Sequence, residues 1–485
     1  MSSTSNNWAF ADDFRDGIWT KYPGNPVMRR SQLWAESDYI CEPNVLHEDG
    51  QFRLWFAQMF PKGQGTALGY ATSPDGFNWT KHPKNPVLVM EGGEVHRPSV
   101  MKHEGTYYLF AVQNEQGIKA PATMRRWRST DGLSWRDEGV VMVADQRWEN
   151  RTLSNMAVIV DDGVWRMLYT GGDAAIGGYF GYAHSPDGLR WTKHEGNPVI
   201  PTIYGGDPFL IKIGSRYYTW HSQSVAGSLR ICCRWSEDMI HWHPLARNPQ
   251  INYTQPWERG VPPEEGGTTA GYFGHLTDAT LCEARGKVFM IYQGAQTPLG
   301  VATFDGTLAD LAERLRQPPL SRWRESPYGM VEDGTLKIAD NGTDRTPLVA
   351  EAPGIGERYV LESRIQRYAG PLSRVSVVFR YADPNAFARF WLHDAQHTFY
   401  QECFHGLFSA PLNVGPNPAC DANWHDWTVE VDGDRNRLTI DGQLVGECRT
   451  SAALLRRLAS SPVHVGFSVL DTYASVAHVR ARKNG

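Results

Sequence analysis

The chain has 485 residues, more than one hydrophobic core organises, so two or three domains are expected. It is 41% hydrophobic and 21% charged, and its 18 Trp, 20 Tyr, 19 Phe and 47 Gly favour a turn-rich, all-β chain over a disordered or helical one. A net charge of -5 offers no general attraction to nucleic acid or an anionic membrane, and no apolar run is long enough to cross a bilayer.

The first residues, Met1-Ser2-Ser3-Thr4-Ser5-Asn6-Asn7, lack a basic segment followed by an apolar one, so no secretory leader and a cytoplasmic location are expected. The seven cysteines (Cys41, Cys232, Cys233, Cys282, Cys403, Cys420 and Cys448) are odd in number and show no zinc-ligand spacing. They read as structural thiols. No metal or other cofactor is expected.

Along the chain, one short segment recurs. It opens as Asp16-Gly17-Ile18-Trp19-Thr20-Lys21 and runs to Asn25-Pro26-Val27. The full form is Ser73-Pro74-Asp75-Gly76-Phe77-Asn78-Trp79, then Asn85-Pro86-Val87. It returns as Ser129-Thr130-Asp131-Gly132 to Trp135, as Ser185-Pro186-Asp187-Gly188 to Trp191 with Asn197-Pro198, and as Ser236-Glu237-Asp238 to Trp242 with Asn248-Pro249. The tryptophans lie 60, 56, 56 and 51 residues apart, the period of a propeller blade.

Upstream of each turn the pattern predicts a hairpin: a short strand, a Gly turn and an aromatic second strand. These begin at Cys41-Glu42-Pro43, His96-Arg97-Pro98, Ser154-Asn155-Met156, Gly206-Asp207-Pro208 and Thr277-Asp278-Ala279. Five units predict a five-bladed propeller within residues 1–315. The fifth unit, ending at Phe304-Asp305-Gly306, lacks a Trp strand, and the orphan copy at Trp19 is expected to supply it. After a linker over 316–325, alternating runs such as Tyr359 to Ile365, Val375 to Arg380 and Trp427 to Val431 predict a two-sheet sandwich over 326–485. The fold class is therefore all-β, a five-bladed β-propeller followed by a β-sandwich.

The first strand of a blade lines the central channel. Aligning the hairpins places Glu42, Arg97, Asn155, Asp207 and Asp278 at equivalent positions near one mouth. A polar residue before Pro often only caps a turn. A ring of five, mixing carboxylates with an arginine, reads better as a site. His96, more often a packed residue than a catalyst, Glu149, His221, Gln223 and His275 are further candidates around the mouth. Trp34, Trp148 and Trp257 fall in connections and are candidates for stacking on a sugar face. The insertion Asn252 to Gly274 is long for the fold and reads as a lid, with Glu264-Glu265 either part of it or a solvated tip.

The five blades, the Ser-x-Asp-Gly-x-x-Trp turns and the acids at blade starts resemble the furanosidase superfamily, which includes glycoside hydrolase families 32 and 43. The segment Trp424 to Gly442 resembles concanavalin-like or laminin-G-like sandwiches. The resemblance implies an acid on blade one as base or nucleophile and an acid on blade four as proton donor. This chain has Glu42 and Asp207 there, with the residue types exchanged, and Asn155 where an orienting Asp is found on blade three. Glycoside hydrolysis needs one protonated and one ionised carboxyl across the anomeric carbon. Glu42 is thus expected as base or nucleophile and Asp207 as acid, with Asp278 competing for either role. Arg97 would hold Glu42 ionised or bind substrate, and Asn155 would bond a hydroxyl. The expected activity is hydrolysis of a small furanoside or related oligosaccharide. A phosphorylase, needing cations such as Arg97, Arg125, Arg126 and Arg151, and a non-catalytic carbohydrate-binding propeller are the alternatives.

Overall fold

Four turns repeat one set of hydrogen bonds, and they explain why the sequence repeats. In the first, Ser73 Oγ accepts from the Gly76 amide at 2.9 Å, and Asp75 Oδ1 accepts from the Phe77 and Asn78 amides at 2.8 Å. Trp79 Nε1 donates to the Gly76 carbonyl at 3.0 Å. Gly76 has φ +83°, an angle that glycine takes without steric cost. Burial pushes the Asp75 carboxyl up, but the hydrogen bonds from Asn78, Phe77 and Ser73 outweigh it and bring its pKa down to about 2. The Ser and Asp bonds recur at Asp131, Asp187 and Asp238, where Met239 replaces the glycine at φ 70°; the tryptophan bond recurs at Trp191 and Trp242, while the Gly132 carbonyl accepts from Trp55 of blade one.

The Asn of each Asn-Pro pair has a matching task. Asn85 accepts from the Tyr70 amide and donates to the Tyr70 carbonyl, both at 2.9 Å, so its side chain imitates one more strand residue. Asn197 does this to Tyr182 and Asn248 to Cys233.

The computed structural model describes residues 10–12, 18–29, 39–59, 66–90, 93–115, 122–172, 178–201, 205–225, 228–245, 248–251, 256–258, 276–295, 298–317, 329–332, 335–339, 347–352, 355–368, 374–392, 396–421, 423–459, 461–470 and 473–483. They form two compact units, Trp19–Pro318 and Met1–Ile18 with Pro319–Gly485. The first holds five four-stranded antiparallel sheets. Blade one is Tyr39–Glu48, Gln51–Met59, Thr66–Ser73 and Thr80–Lys81, and blade two is Gly93–His103, Thr106–Glu115, Thr123–Ser129 and Arg136–Val143. Blade three is Leu153–Asp161, Val164–Gly171, Tyr179–Ser185 and Thr192–Lys193; blade four is Gly205–Ile213, Arg216–Val225, Ser228–Ser236 and His243–Pro244. Blade five is Thr277–Ala284, Lys287–Gln293 and Leu299–Asp305, and its outer strand is Thr20–Lys21.

The ring therefore closes with the N-terminal copy of the repeat. Thr20 pairs with Thr303 and Lys21 with Ala302, and Asn25 clamps Val301 with two 2.9 Å bonds. Inside this seam Lys21 Nζ lies 2.8 Å from Glu258, which also accepts from Tyr292 Oη at 2.8 Å. Blade three repeats the cluster: Lys193 Nζ is 2.6 Å from Glu149, and Tyr169 Oη donates to Glu149 at 2.9 Å. Both glutamates are fully buried, at the ends of the 3-10 turns Arg147–Glu149 and Pro256–Glu258.

The second unit is a sandwich. One sheet orders Gly329–Glu332, Thr335–Ala339, Tyr473–Lys483, Arg358–Tyr368, Trp424–Asp432, Arg435–Ile440 and Gln443–Arg449. The other is built on Leu348–Glu351, His464–Leu470, Arg374–Asp383, Ala386–Leu392 and Thr398–Phe404. Leu361, Val429 and Val479 of the first pack with Val377, Phe379 and Phe390 of the second in one core. Phe10–Asp12 pairs with Val479–Ala481, so the start of the chain lies in the sandwich and not in the propeller, as the expected 1–315 boundary had it. A three-residue edge strand held by backbone bonds leaves no periodic signal in side chains.

Because Lys21 and Glu258 are buried together, Lys21→Ala leaves a carboxylate without its cation. Denaturant unfolding of that variant is expected to show a loss of about 3–5 kcal/mol in the propeller transition; an unchanged midpoint would remove the pair from the closure.

Candidate active site

The site is made by a defect that the blades share. In each first strand the ladder skips a residue: between Cys41 and Asn44, His96 and Ser99, Leu153 and Met156, Gly206 and Phe209, and Thr277 and Thr280. Such a bulge re-aims a side chain that regular pleating would turn into the neighbouring blade. At four of the five the bulged residue takes a left-handed backbone: Glu42 at φ 54°, Arg97 at 56°, Asp207 at 57° and Asp278 at 54°. Each costs roughly 1–2 kcal/mol for a residue with a Cβ. Backbone strain of this kind concentrates where function needs a fixed geometry.

These four and Asn155 line one cavity of about 230 Å³, together with the prolines Pro43, Pro98 and Pro208 that follow three of them. Arg97 is its centre. One guanidinium nitrogen lies 2.7 Å from Asp207 Oδ1, and Nε lies 3.5 Å from Glu42 Oε1. The Arg97 amide donates to Glu42 Oε2 at 2.6 Å, and Asn155 Nδ2 donates to Asp207 Oδ1. Burial acts to lower the Arg97 pKa, but the Glu42, Asp207 and Asp278 charges outweigh it and hold the guanidinium charged.

Asp278 is the odd carboxyl. Burial pushes it well above the usual carboxylate range, and the Asp207 and Glu42 charges push it further; Arg97 and Thr277 offset only part of this. One cation faces three acids, so one acid keeps its proton.

The other expected contacts are not at the channel. Glu149 is committed to Lys193 and Tyr169. Trp257, near 5.6 Å from the Tyr292 ring, covers Gly294 and Gly300, where a Cβ would meet it at 2.3 and 2.5 Å. Trp148 covers Gly171 and Gly181 in the same way, so both tryptophans are packing residues and not sugar platforms. His221 is fully buried against Phe180, with Thr219 and Gln223 as hydrogen-bond partners, and burial lowers its pKa to about 4, so it is neutral and out of reach. His96 precedes the bulge and is not among the cavity-lining residues. Arg125 is bonded to Asp137 at 2.7 Å, and Arg126 to Glu138 and the Asp187 carbonyl at 2.7 and 2.6 Å. Among the described lining residues Arg97 is the cation. Trp34, His275 and the expected lid, apart from Pro256–Glu258, lie outside the described residues.

Three polar residues at the site carry no sequence signal. Gln293 accepts the Glu42 amide at 3.0 Å, Ser222 the Asp278 amide at 3.4 Å, and Thr280 the Val45 amide at 3.2 Å. Each comes from a neighbouring blade, at a position where the other blades carry different residue types.

A family model described as "Glycosyl hydrolases family 32 N-terminal domain" matches residues 98–258. A 1,2-beta-oligomannan phosphorylase of Thermoanaerobacter sp. (strain X514) is 30% identical over 122 residues, 22% of this chain and 41% of that protein. An uncharacterized protein of Mycobacterium tuberculosis (strain ATCC 25618 / H37Rv) is 28% identical over 144 residues, 27% of this chain and 46% of that one. The chain thus spans less than half the length of the curated relatives it matches. Among solved structures, a glycosyl hydrolase from Bacteroides ovatus has a TM-score of 0.49 at 14% identity, over 61% of this chain and 96% of that one. A xylan beta-1,4-xylosidase from Bacillus halodurans C-125 has a TM-score of 0.40 at 12% identity, over 96% of this chain and 100% of that one. The chain carries a five-bladed propeller, part of which matches the glycosyl hydrolase family 32 N-terminal domain, and a β-sandwich.

The raised Asp278 pKa has a stability consequence. A carboxyl whose folded pKa exceeds its unfolded one costs stability as pH rises from the unfolded value through the folded one. Asp278→Asn is therefore expected to raise Tm, with a gain that grows from pH 5 to pH 8 by about 2–4 °C for each kcal/mol recovered. A difference independent of pH would place the Asp278 proton elsewhere.

Proposed function

We propose that this protein is a glycoside hydrolase in which Asp278 is the general acid and Glu42 the base or nucleophile. The observation that carries this reading is the division of the three carboxyls: Glu42 and Asp207 face Arg97, while Asp278 is pushed toward its protonated form. Asp207 accepts from both Arg97 and Asn155 and is already engaged by two donors. The acid role expected for it passes to Asp278, and Asp207 with Asn155 is read as the group that orients Arg97 and bonds a sugar hydroxyl.

In this reading Asp278 donates its proton to the glycosidic oxygen as the bond to the anomeric carbon breaks. Glu42 attacks that carbon or takes a proton from the attacking water on the other side. The cavity of about 230 Å³ lies below the roughly 300–1,000 Å³ of common small-molecule pockets and suits one terminal sugar ring. Small furanosides and related short oligosaccharides are the proposed substrates.

A phosphorylase is the second reading, favoured by the likeness to the Thermoanaerobacter enzyme. Its phosphate would need cations, and Arg125 and Arg126 are already bonded to carboxylates of their own blade.

Turnover of nitrophenyl glycosides decides between them. Glu42→Gln and Asp278→Asn are each expected to lower kcat/KM by roughly a thousandfold or more, without a phosphate requirement in the parent protein. In the parent the rate should fall as pH rises through the Asp278 pKa. Asp278→Asn should lose that limb and recover most with a dinitrophenolate leaving group, which needs no proton. Phosphate-dependent turnover would select the phosphorylase, and full activity in both variants would remove these carboxyls from the chemistry.

A further inference from the structure

Two of the bulged residues are held by one position in the second strand of the neighbouring blade. Counted from the hairpin turns, Ala57, Val112, Thr170, Ser222 and Gln293 are equivalent in blades one to five. The Gln293 side chain accepts the amide of Glu42 on blade one at 3.0 Å, and the Ser222 hydroxyl accepts the amide of Asp278 on blade five at 3.4 Å. Thr170 stands beside Gly206, the residue before Asp207, but its buried hydroxyl has no hydrogen-bond partner among the described residues and does not take the Asp207 amide.

Two blades have an apolar neighbour at this position. Ala57 has no polar atom, and the Arg97 amide is taken by the Glu42 carboxylate instead. Val112 has none either, and Asn155 is the one member of the five without a left-handed backbone; its bulge falls one residue earlier along the strand. A left-handed residue turns its N–H out of the ladder, and a buried amide needs a partner.

We propose that Gln293 and Ser222 are positioning residues that hold Glu42 and Asp278 in the conformation the reaction uses, by accepting their backbone amides from the neighbouring blade. The link to chemistry rests on the carboxylate assignment above; the link to backbone geometry does not. Gln293 fixes where the Glu42 carboxylate meets Arg97, and Ser222 fixes Asp278 on the adjacent blade. Neither needs to touch substrate.

Two measurements on Gln293→Met, Ser222→Ala and Ser222→Thr test this. In amide hydrogen exchange, Gln293→Met is expected to speed exchange at Glu42 about tenfold while sparing Asp278, and Ser222→Ala to do the reverse. In kinetics, Gln293→Met is expected to lower kcat about tenfold at unchanged KM, and Ser222→Ala to shift the alkaline limb of the pH profile. Ser222→Thr, which keeps the hydroxyl, should restore both readouts. Unchanged exchange at both amides overturns the proposal, and so does faster exchange with kcat and pH profile unchanged. If Ser222→Ala does not fold, Gln293→Met alone decides. Loss of activity in Glu42→Gln beside an unaffected Gln293→Met would reject the positioning role and keep the carboxylate reading. Full activity in Glu42→Gln rejects that reading, and the exchange data still decide whether Gln293 holds the amide.

Discussion

The seam between the first and last blades is the constraint on which the propeller depends. Residues Thr20–Lys21 complete a sheet whose other strands lie more than 250 residues later, and Asn25 bonds Val301 across 276 positions. Five first strands face one another across a channel only when the ring is shut. The buried Lys21–Glu258 pair sits inside that seam, where each charge is tolerable only because the other is present. Its copy, Lys193–Glu149, joins the outer strand of blade three to the 3-10 turn just before that blade's first strand, a short way along the chain. The same cluster thus serves as local packing in one blade and as the lock of the whole ring in another.

Once the ring is shut, its centre concentrates like charge. Glu42, Asp207 and Asp278 come from blades one, four and five, and Arg97 from blade two. Any of these acids alone would be an ordinary surface carboxylate. Brought together out of bulk water around one guanidinium, they cannot all ionise at the usual cost. The upward push on the Asp278 carboxyl arises from the geometry of the ring and from no property of the residue itself.

Packing positions and working positions follow opposite rules in this repeat. The Ser and Asp of the outer turns are kept in four blades because each makes the same local bonds within its own blade. At the bulges and their acceptors the blades differ: Glu, Arg, Asn, Asp and Asp at one, Ala, Val, Thr, Ser and Gln at the other. A propeller needs identical outer edges to pack its blades and gains a function only by breaking the symmetry at its axis.

This is why the sequence was legible in one part and opaque in another. The five blades, their four strands, the closing role of the Trp19 copy and the ring Glu42, Arg97, Asn155, Asp207 and Asp278 could be read from the chain, because turns and hairpins are encoded by residues a few positions apart. Trp148, Trp257, Glu149 and His221 read as candidates for substrate contact from their places in the connections and beside the hairpins, and burial against glycines, lysines and aromatics gives them packing contacts. Which carboxyl keeps a proton, and which side chains hold the strained amides, depended on contacts such as Gln293 with Glu42, 251 residues apart. Local pattern determines which strands form. Only the closed ring determines which charges meet, because electrostatic and hydrogen-bond energies depend on distance in space and not along the chain.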